Sequence, residues 1–353
     1  MVSYPITFNT AILEQTNHPL IIDQVQFFGP LLLGQVLVQI NYSGICGKQI
    51  EEIKGTAGKD PYLPHMLGHE GSGVIIDIGP GVTKVTPGDH VVLHWLKGSG
   101  LDAQTPFYTR KNGERINAGW ITTFNEYGVV SENRITKIPF NFDLSIACLL
   151  GCAVTTGLGV IFNEANVRPA ESVSIFGCGG VGLCSIQGAH NLHAYPIIAI
   201  DKNSKNLILA QKMGATHTFN STTADIPTEI KKVTKNKGTY HSIITAAYPD
   251  VIETAALSTS APGNIFIVGV PAKDATVTIN ALDIHRRKVF TGSYGGGCFP
   301  DRDIPRYITL YQQGHLQLKE LITTIISLKD INECTGFSIS PKTLPGRCII
   351  KMM

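Results

Sequence analysis

The sequence predicts a two-part α/β protein, and three observations carry that expectation. The first 150 or so residues are short β-branched runs cut by Gly, Pro and Asp. From about residue 155, strands alternate with helices, the pattern of a parallel sheet. From about residue 295 the character is mixed again, with a helix expected at IPRYITLYQQG. A chain of 353 residues is long for one core and comfortable for two domains. With 43% hydrophobic and 16% charged residues it is globular rather than disordered. A formal charge of +2 and no long basic run give no reason to expect a nucleic-acid partner.

Taken in order, VLVQINYSGIC, GSGVIIDIG, HVVLHW and FNEYGVV read as strands of the first part. SVSIFG, YPIIAID, HSIITAA and NIFIVGV read as strands of the second, with helices at GVGLCSIQGAHNL and KNSKNLILAQKMG. Two uncharged stretches, 144–163 and 172–191, are laced with Gly, Ser, Thr and Cys and suit buried turns and helices better than membrane spans. The opening MVSYPITFNTAILEQ lacks the charged and apolar regions of a signal peptide. Eight cysteines form no CxxC pair, so reduced thiols and a cytoplasmic location are expected.

SIFGCGGVG places Gly177, Gly179 and Gly182 in G-x-G-x-x-G spacing, after a strand and opening a helix. Gly177 allows the tight turn, Gly179 the approach of a pyrophosphate, and Gly182 close helix–strand packing. Gly180 and Val181 complete the turn, whose helix N-terminus offers N–H groups to phosphates. A second strand ends in Asp201, about 20 residues past Gly182, where an acid accepts hydrogen bonds from a ribose. A carboxylate there repels a 2′-phosphate, so NAD is expected over NADP. Lys202 and Lys205 soften that preference unless they are solvated lysines at a helix start.

Cys46, His69 and Cys152 lie on three separated segments. Two thiolates and an imidazole suit zinc with a fourth position open, although no spacing forces the three together. Glu70 follows His69 directly. His94 and Trp95 end a strand and are expected to line a substrate pocket, His94 alternatively being an ordinary rim histidine.

The segments GICG, LGHEGSGVI, DIGPGVTKVTPGDHVV, GCAVTTGLG, SIFGCGGVGL, AIDKNSKNLILAQKMGATH and TGSYGGG resemble the zinc-dependent alcohol dehydrogenases of the medium-chain dehydrogenase/reductase family along nearly the whole chain. The resemblance implies a GroES-like catalytic domain from residues 1–153 and 295–353, with a doubly wound Rossmann domain, 154–294, inserted. It implies that Cys46, His69 and Cys152 are the catalytic zinc ligands, and that Glu70 is a carboxylate able to approach the metal during ligand exchange. Asp201 would be the ribose acid and Arg347 a cation near the cofactor pyrophosphate. Thr156 is expected to help position the nicotinamide. An NAD-linked interconversion of an alcohol and its carbonyl follows, with the primary alcohol, polyol or sugar alcohol left open, and a homodimer or homotetramer.

Two departures from that pattern stand out. The region after HVVLHW has no cysteine, so the four-cysteine structural zinc of many relatives is impossible there, and one zinc per chain is expected. Asn112-Gly113 in YTRKNGERI reads as a two-residue hairpin turn instead. Second, the hydroxyl-to-histidine proton relay is absent in residue type: Lys48 stands where Ser or Thr is common, Gln49 replaces a common Asp, and Glu51 replaces a histidine. Lys48 has three readings: a proton carrier, a grip on an anionic substrate group, or a partner of Glu51 or Glu52. Two other functions stay open: a non-catalytic NAD-binding homologue, and an enzyme with tightly held NAD that oxidises and re-reduces one substrate.

Overall fold

The computed structural model describes residues 2–56, 58–337 and 345–352, so residues 338–344, within the expected 295–353 segment, lie outside the described residues. The chain divides into two compact units. One comprises Met1–Cys152, Phe299–Thr309 and Ile322–Met353, and the other Ala153–Cys298 and Leu310–Leu321.

The first unit is β-rich, as its turn-punctuated, β-branched runs predict. Gln35–Gly44 is its central strand, pairing with Glu70–Ile78, Tyr127–Ser131 and Arg347–Lys351. Successive side chains point to opposite faces. Val36, Val38 and Ile40 accordingly enter one apolar cluster and Leu37 another. The second cluster fills a small closed barrel of Ile6–Leu13, Ile21–Phe27, Phe107–Arg110, Arg115–Asn117 and His65–Met66, with Phe8, Val25 and Tyr108 inside.

The hairpin in that barrel corrects the expectation of a two-residue turn. Thr109 pairs with Arg115, and the Arg110 N–H donates to the Glu114 carbonyl at 2.9 Å, leaving Lys111, Asn112 and Gly113 as the loop. A two-residue type I′ turn needs positive φ at both central residues. Here only Gly113, at φ 86°, has it, which suits a three-residue loop.

The second unit is a six-stranded parallel sheet. Its strand order is His217–Asn220, Ile197–Asp201, Val173–Phe176, Thr239–Ile244, Thr259–Ile267, Lys288–Gly292. Counted along the chain this is 3-2-1-4-5-6, the doubly wound order. Strands covered on both faces read as continuous apolar runs, as Ile198, Ile200, Ile243, Ile244 and Ile265 do, each 3% exposed or less. The uncharged stretch 172–191 divides into a strand, Val173–Phe176, and a helix, Gly180–Asn191. Among the described residues no single helix is long and apolar enough to cross a membrane.

Candidate metal and dinucleotide sites

Cys46 is the N-cap of the Gly47–Lys54 helix, with extended backbone at φ −98°, ψ 147°, and its carbonyl accepts from the Gln49 backbone N–H at 3.0 Å. A thiolate is favoured at a helix N-terminus, where N–H groups and the helix dipole meet it. His69 sits in the turn entering strand Glu70–Ile78, and Cys152 follows the short turn Cys148–Gly151. The fold brings the three together: their ligand atoms lie within 4.8 Å of one another. Cys46 and Cys152 are 9% and 7% exposed.

The electrostatics single out Cys46. Its thiol is held well below the ordinary cysteine value, first by the neighbouring Cys152 sulfur, then by His69 and Arg347, against the upward push of burial. Burial pushes the thiols of Cys148, Cys178 and Cys184 the other way, as inert core cysteines. His69 Nε2 is buried with no hydrogen-bond partner among the described residues. A buried imidazole nitrogen left unpaired beside two thiols fits a soft divalent cation such as zinc.

Glu70, fully buried, accepts a short hydrogen bond from the Arg347 guanidinium, itself 5% exposed. The residue expected beside a pyrophosphate thus neutralises the carboxylate next to His69. The turn carrying His69 and Glu70 is tied down on all sides. The Leu67 carbonyl accepts from Thr123 and Phe124 N–H, and the Glu70 carbonyl accepts from the hydroxyls of Ser43 at 2.9 Å and Thr123 at 3.1 Å.

Lys48 is half-buried and forms no ion pair among the described residues, so the expected partnership with Glu51 or Glu52 is not made. His94 does not stand on a rim. It is 1% exposed, Nδ1 meets the Leu96 carbonyl at 2.7 Å and Nε2 meets Thr136 Oγ1 at 3.0 Å, leaving neither nitrogen for a substrate. Burial lowers its pKa to about 4. Trp95 is half-buried against the larger apolar cluster. In the other grouping of metal-binding type, Glu52, Asp60 and His65, the imidazole already has partners. His65 Nε2 meets the Asp60 carboxylate at 2.8 Å and Nδ1 meets the Met66 carbonyl at 2.9 Å, so both ring nitrogens are already engaged within the protein.

In the second unit the glycine turn behaves as its spacing predicts. A Cβ at Gly182 would stand 1.9 Å from the Gly177 carbonyl, so helix and strand meet only because it is glycine. A Cβ at Gly179 would meet nothing within 4 Å, and Gly179 caps the Gly180–Asn191 helix without a side-chain hydrogen bond, so its N-terminus is open to an anion. Gly180 and Val181 form its first turn. Asp201 accepts from the Cys178 N–H at 2.7 Å, the Asn203 N–H at 2.7 Å and the Asn206 amide at 3.1 Å, which fixes its carboxylate beside that turn. Lys202 and Lys205 are exposed. Thr156 Oγ1 is buried without a hydrogen-bond partner among the described residues, a hydroxyl that a ligand would satisfy.

Comparison with known proteins agrees with this architecture. Residues 33–140 match the alcohol dehydrogenase GroES-like domain, and residues 180–313 the zinc-binding dehydrogenase domain. The chain is 32% identical over 330 residues to an S-(hydroxymethyl)glutathione dehydrogenase of Escherichia coli O1:K1, covering 85% of this chain and 88% of that one. The benzyl alcohol dehydrogenase of Acinetobacter calcoaceticus superposes with a TM-score of 0.88 at 27% identity, over 99% of this chain and 100% of that one. Galactitol-1-phosphate dehydrogenase from Escherichia coli shares the fold, with a TM-score of 0.78 at 24% identity over 97% and 99%.

Proposed function

The chain belongs to the zinc-dependent alcohol dehydrogenases of the medium-chain dehydrogenase/reductase family, oxidoreductases that interconvert an alcohol and its carbonyl, and from that premise we propose how this member works. It uses NAD(H), one zinc per chain and no structural zinc, and acts on a primary alcohol, a polyol or a sugar alcohol. The observation that carries this reading is the convergence of Cys46, His69 and Cys152 around an unpaired imidazole nitrogen. When bound, zinc supplies Lewis acidity toward the substrate oxygen, and NAD(H) takes up or gives the hydride.

The residues have separate tasks. Cys46, His69 and Cys152 hold the metal, and two thiolates balance its charge. Arg347 keeps the Glu70 carboxylate neutralised, so it adds no unpaired negative charge beside the ligands. The helix N-terminus at Gly179 takes the pyrophosphate, Asp201 the adenosine ribose, and Thr156 Oγ1 the nicotinamide end. The unit of Met1–Cys152, Phe299–Thr309 and Ile322–Met353 acts as the catalytic domain, and that of Ala153–Cys298 and Leu310–Leu321 as the dinucleotide domain, so 310–321, expected from the sequence in the catalytic segment, falls outside it. Strand Lys288–Gly292 ends the parallel sheet with Val289 47% exposed, an edge suited to a symmetry mate, which supports a dimer. A cytoplasmic location fits eight unbridged cysteines.

Lys48, without an ion pair among the described residues and two residues from Cys46, is available to grip an anionic substrate group. The relatives named for S-(hydroxymethyl)glutathione and galactitol-1-phosphate make charged substrates worth including. Lys48→Met should then raise KM several-fold for charged substrates and leave neutral ones alone. The test of the whole reading is an NAD+ reduction screen of zinc-loaded protein across alcohols, polyols and their phosphates, with reverse assays on aldehydes and ketones. Reduction with at least one substrate, and a preference for NAD+ over NADP+, is expected. Preference for NADP+ would overturn the role of Asp201, and inertness throughout would overturn the enzyme.

A further inference from the structure

Gln49 is 1% exposed on the helix that Cys46 begins. Its carboxamide has two orientations. One puts the oxygen 3.5 Å from the Cys46 N–H and turns the NH2 group onto the N–H groups of Gly68 and His69, donor against donor. The other lets the oxygen accept from Gly68 at 2.6 Å and His69 at 3.0 Å. The second gains two hydrogen bonds and gives up only the long 3.5 Å contact to the Cys46 N–H, so it is the one adopted. No other acceptor among the described residues serves these two N–H groups. The same residue's backbone N–H donates to the Cys46 carbonyl at 3.0 Å.

We infer that Gln49 is the positioning residue that fixes the Cys46 and His69 segments relative to each other, its backbone N–H on the cysteine and its side-chain oxygen on the histidine turn. This rests on the zinc reading above. A neutral carboxamide does this without adding negative charge, where an aspartate, common at this position in the family, would add one. Without the oxygen the Gly68 and His69 N–H groups lose their one acceptor among the described residues, and the His69 end of the turn is held less firmly against the thiols. Partners that orient metal ligands typically change metal retention by about 10–100-fold when removed.

The test uses the zinc-loaded full chain with Gln49→Met, similar in length but without an acceptor, and Gln49→Glu, of equal length with one. Zinc release to a chromogenic chelator and the visible bands of the cobalt-substituted protein are recorded below the unfolding temperature. Gln49→Met should release zinc about 10–100-fold faster with altered cobalt bands, and Gln49→Glu should stay within a few-fold of the wild type. Wild-type release and bands in Gln49→Met, with only the thermal midpoint lowered, would show a packing residue and overturn the inference. Equal loss in both variants would overturn the acceptor role. Should Gln49→Met not fold, Gln49→Asn, whose oxygen is drawn back by one methylene, replaces it with the same expectation. A wild-type chain that takes up no zinc would overturn the metal reading itself, and this inference with it.

Discussion

Around Cys46, His69 and Cys152 three distant segments meet through buried, soft donors. Around Arg110 three others are held by charge near the surface. The guanidinium pairs with Glu14, with Asp23 at 2.8 Å and with Glu114 at 2.7 Å, and the three carboxylates are 29%, 44% and 41% exposed. The Arg110 cluster belongs to the hairpin region that lacks the cysteines of a structural zinc. Charge and strand pairing join the segments there, whereas two thiols and an imidazole meet where the proposed function needs a Lewis acid. On the proposed reading the metal of this unit serves chemistry rather than the fold, and the two regions should respond to different insults.

The largest expected effect is on the first region. Cys46→Ser, His69→Ala and Cys152→Ser should each lower turnover roughly a thousandfold or more and empty the zinc site. NAD binding, assayed by fluorescence, should survive, because its proposed contacts lie in the other unit. Turnover retained in all three variants would break the contrast at once.

Acid is the next probe. Burial holds His94 at about 4, below its ordinary 6.5. The folded chain therefore takes up that proton less readily than the unfolded chain. Stability should be full above about pH 6.5 and fall by roughly 3 kcal/mol as pH drops toward 4. Asp301 adds a separate loss at lower pH: against the upward push of burial, Lys84, Ser99 and Thr136 hold it below 3.8, so its contribution fades only beneath that value. A denaturation midpoint flat between pH 6.5 and 4 would contradict the buried neutral His94.

The smallest effect belongs to the second region. Arg110→Met should cost about 1 kcal/mol, since its partners are partly exposed and screened, and the loss should shrink in high salt. Zinc content and turnover should not change. Loss of zinc in Arg110→Met would show that the two regions are coupled and end the distinction.

Some of this was written locally in the sequence and some was not. The glycine turn was legible because each of its constraints acts within a few residues, and the sheet because buried parallel strands read as apolar runs. The meeting of Cys46, His69 and Cys152 was only a chemical suggestion until the strands placed them, since nothing in their spacing closes the distance. The Glu70–Arg347 pair joins residues far apart along the chain, and no local pattern announces it. His94 looked like a pocket residue because it ends a strand near the site; its two internal partners, Leu96 and Thr136, decide otherwise. Gln49 left no local signal, because the N–H groups its oxygen serves, those of Gly68 and His69, lie on another segment.

The most direct measurement is chelator titration of the purified protein, with zinc content and NAD+-dependent alcohol oxidation followed on the same samples. The account predicts one zinc per chain at the start, turnover lost in proportion to zinc removed, full recovery on adding zinc back, and a thermal midpoint that moves little. Undiminished alcohol oxidation by zinc-free protein would contradict it.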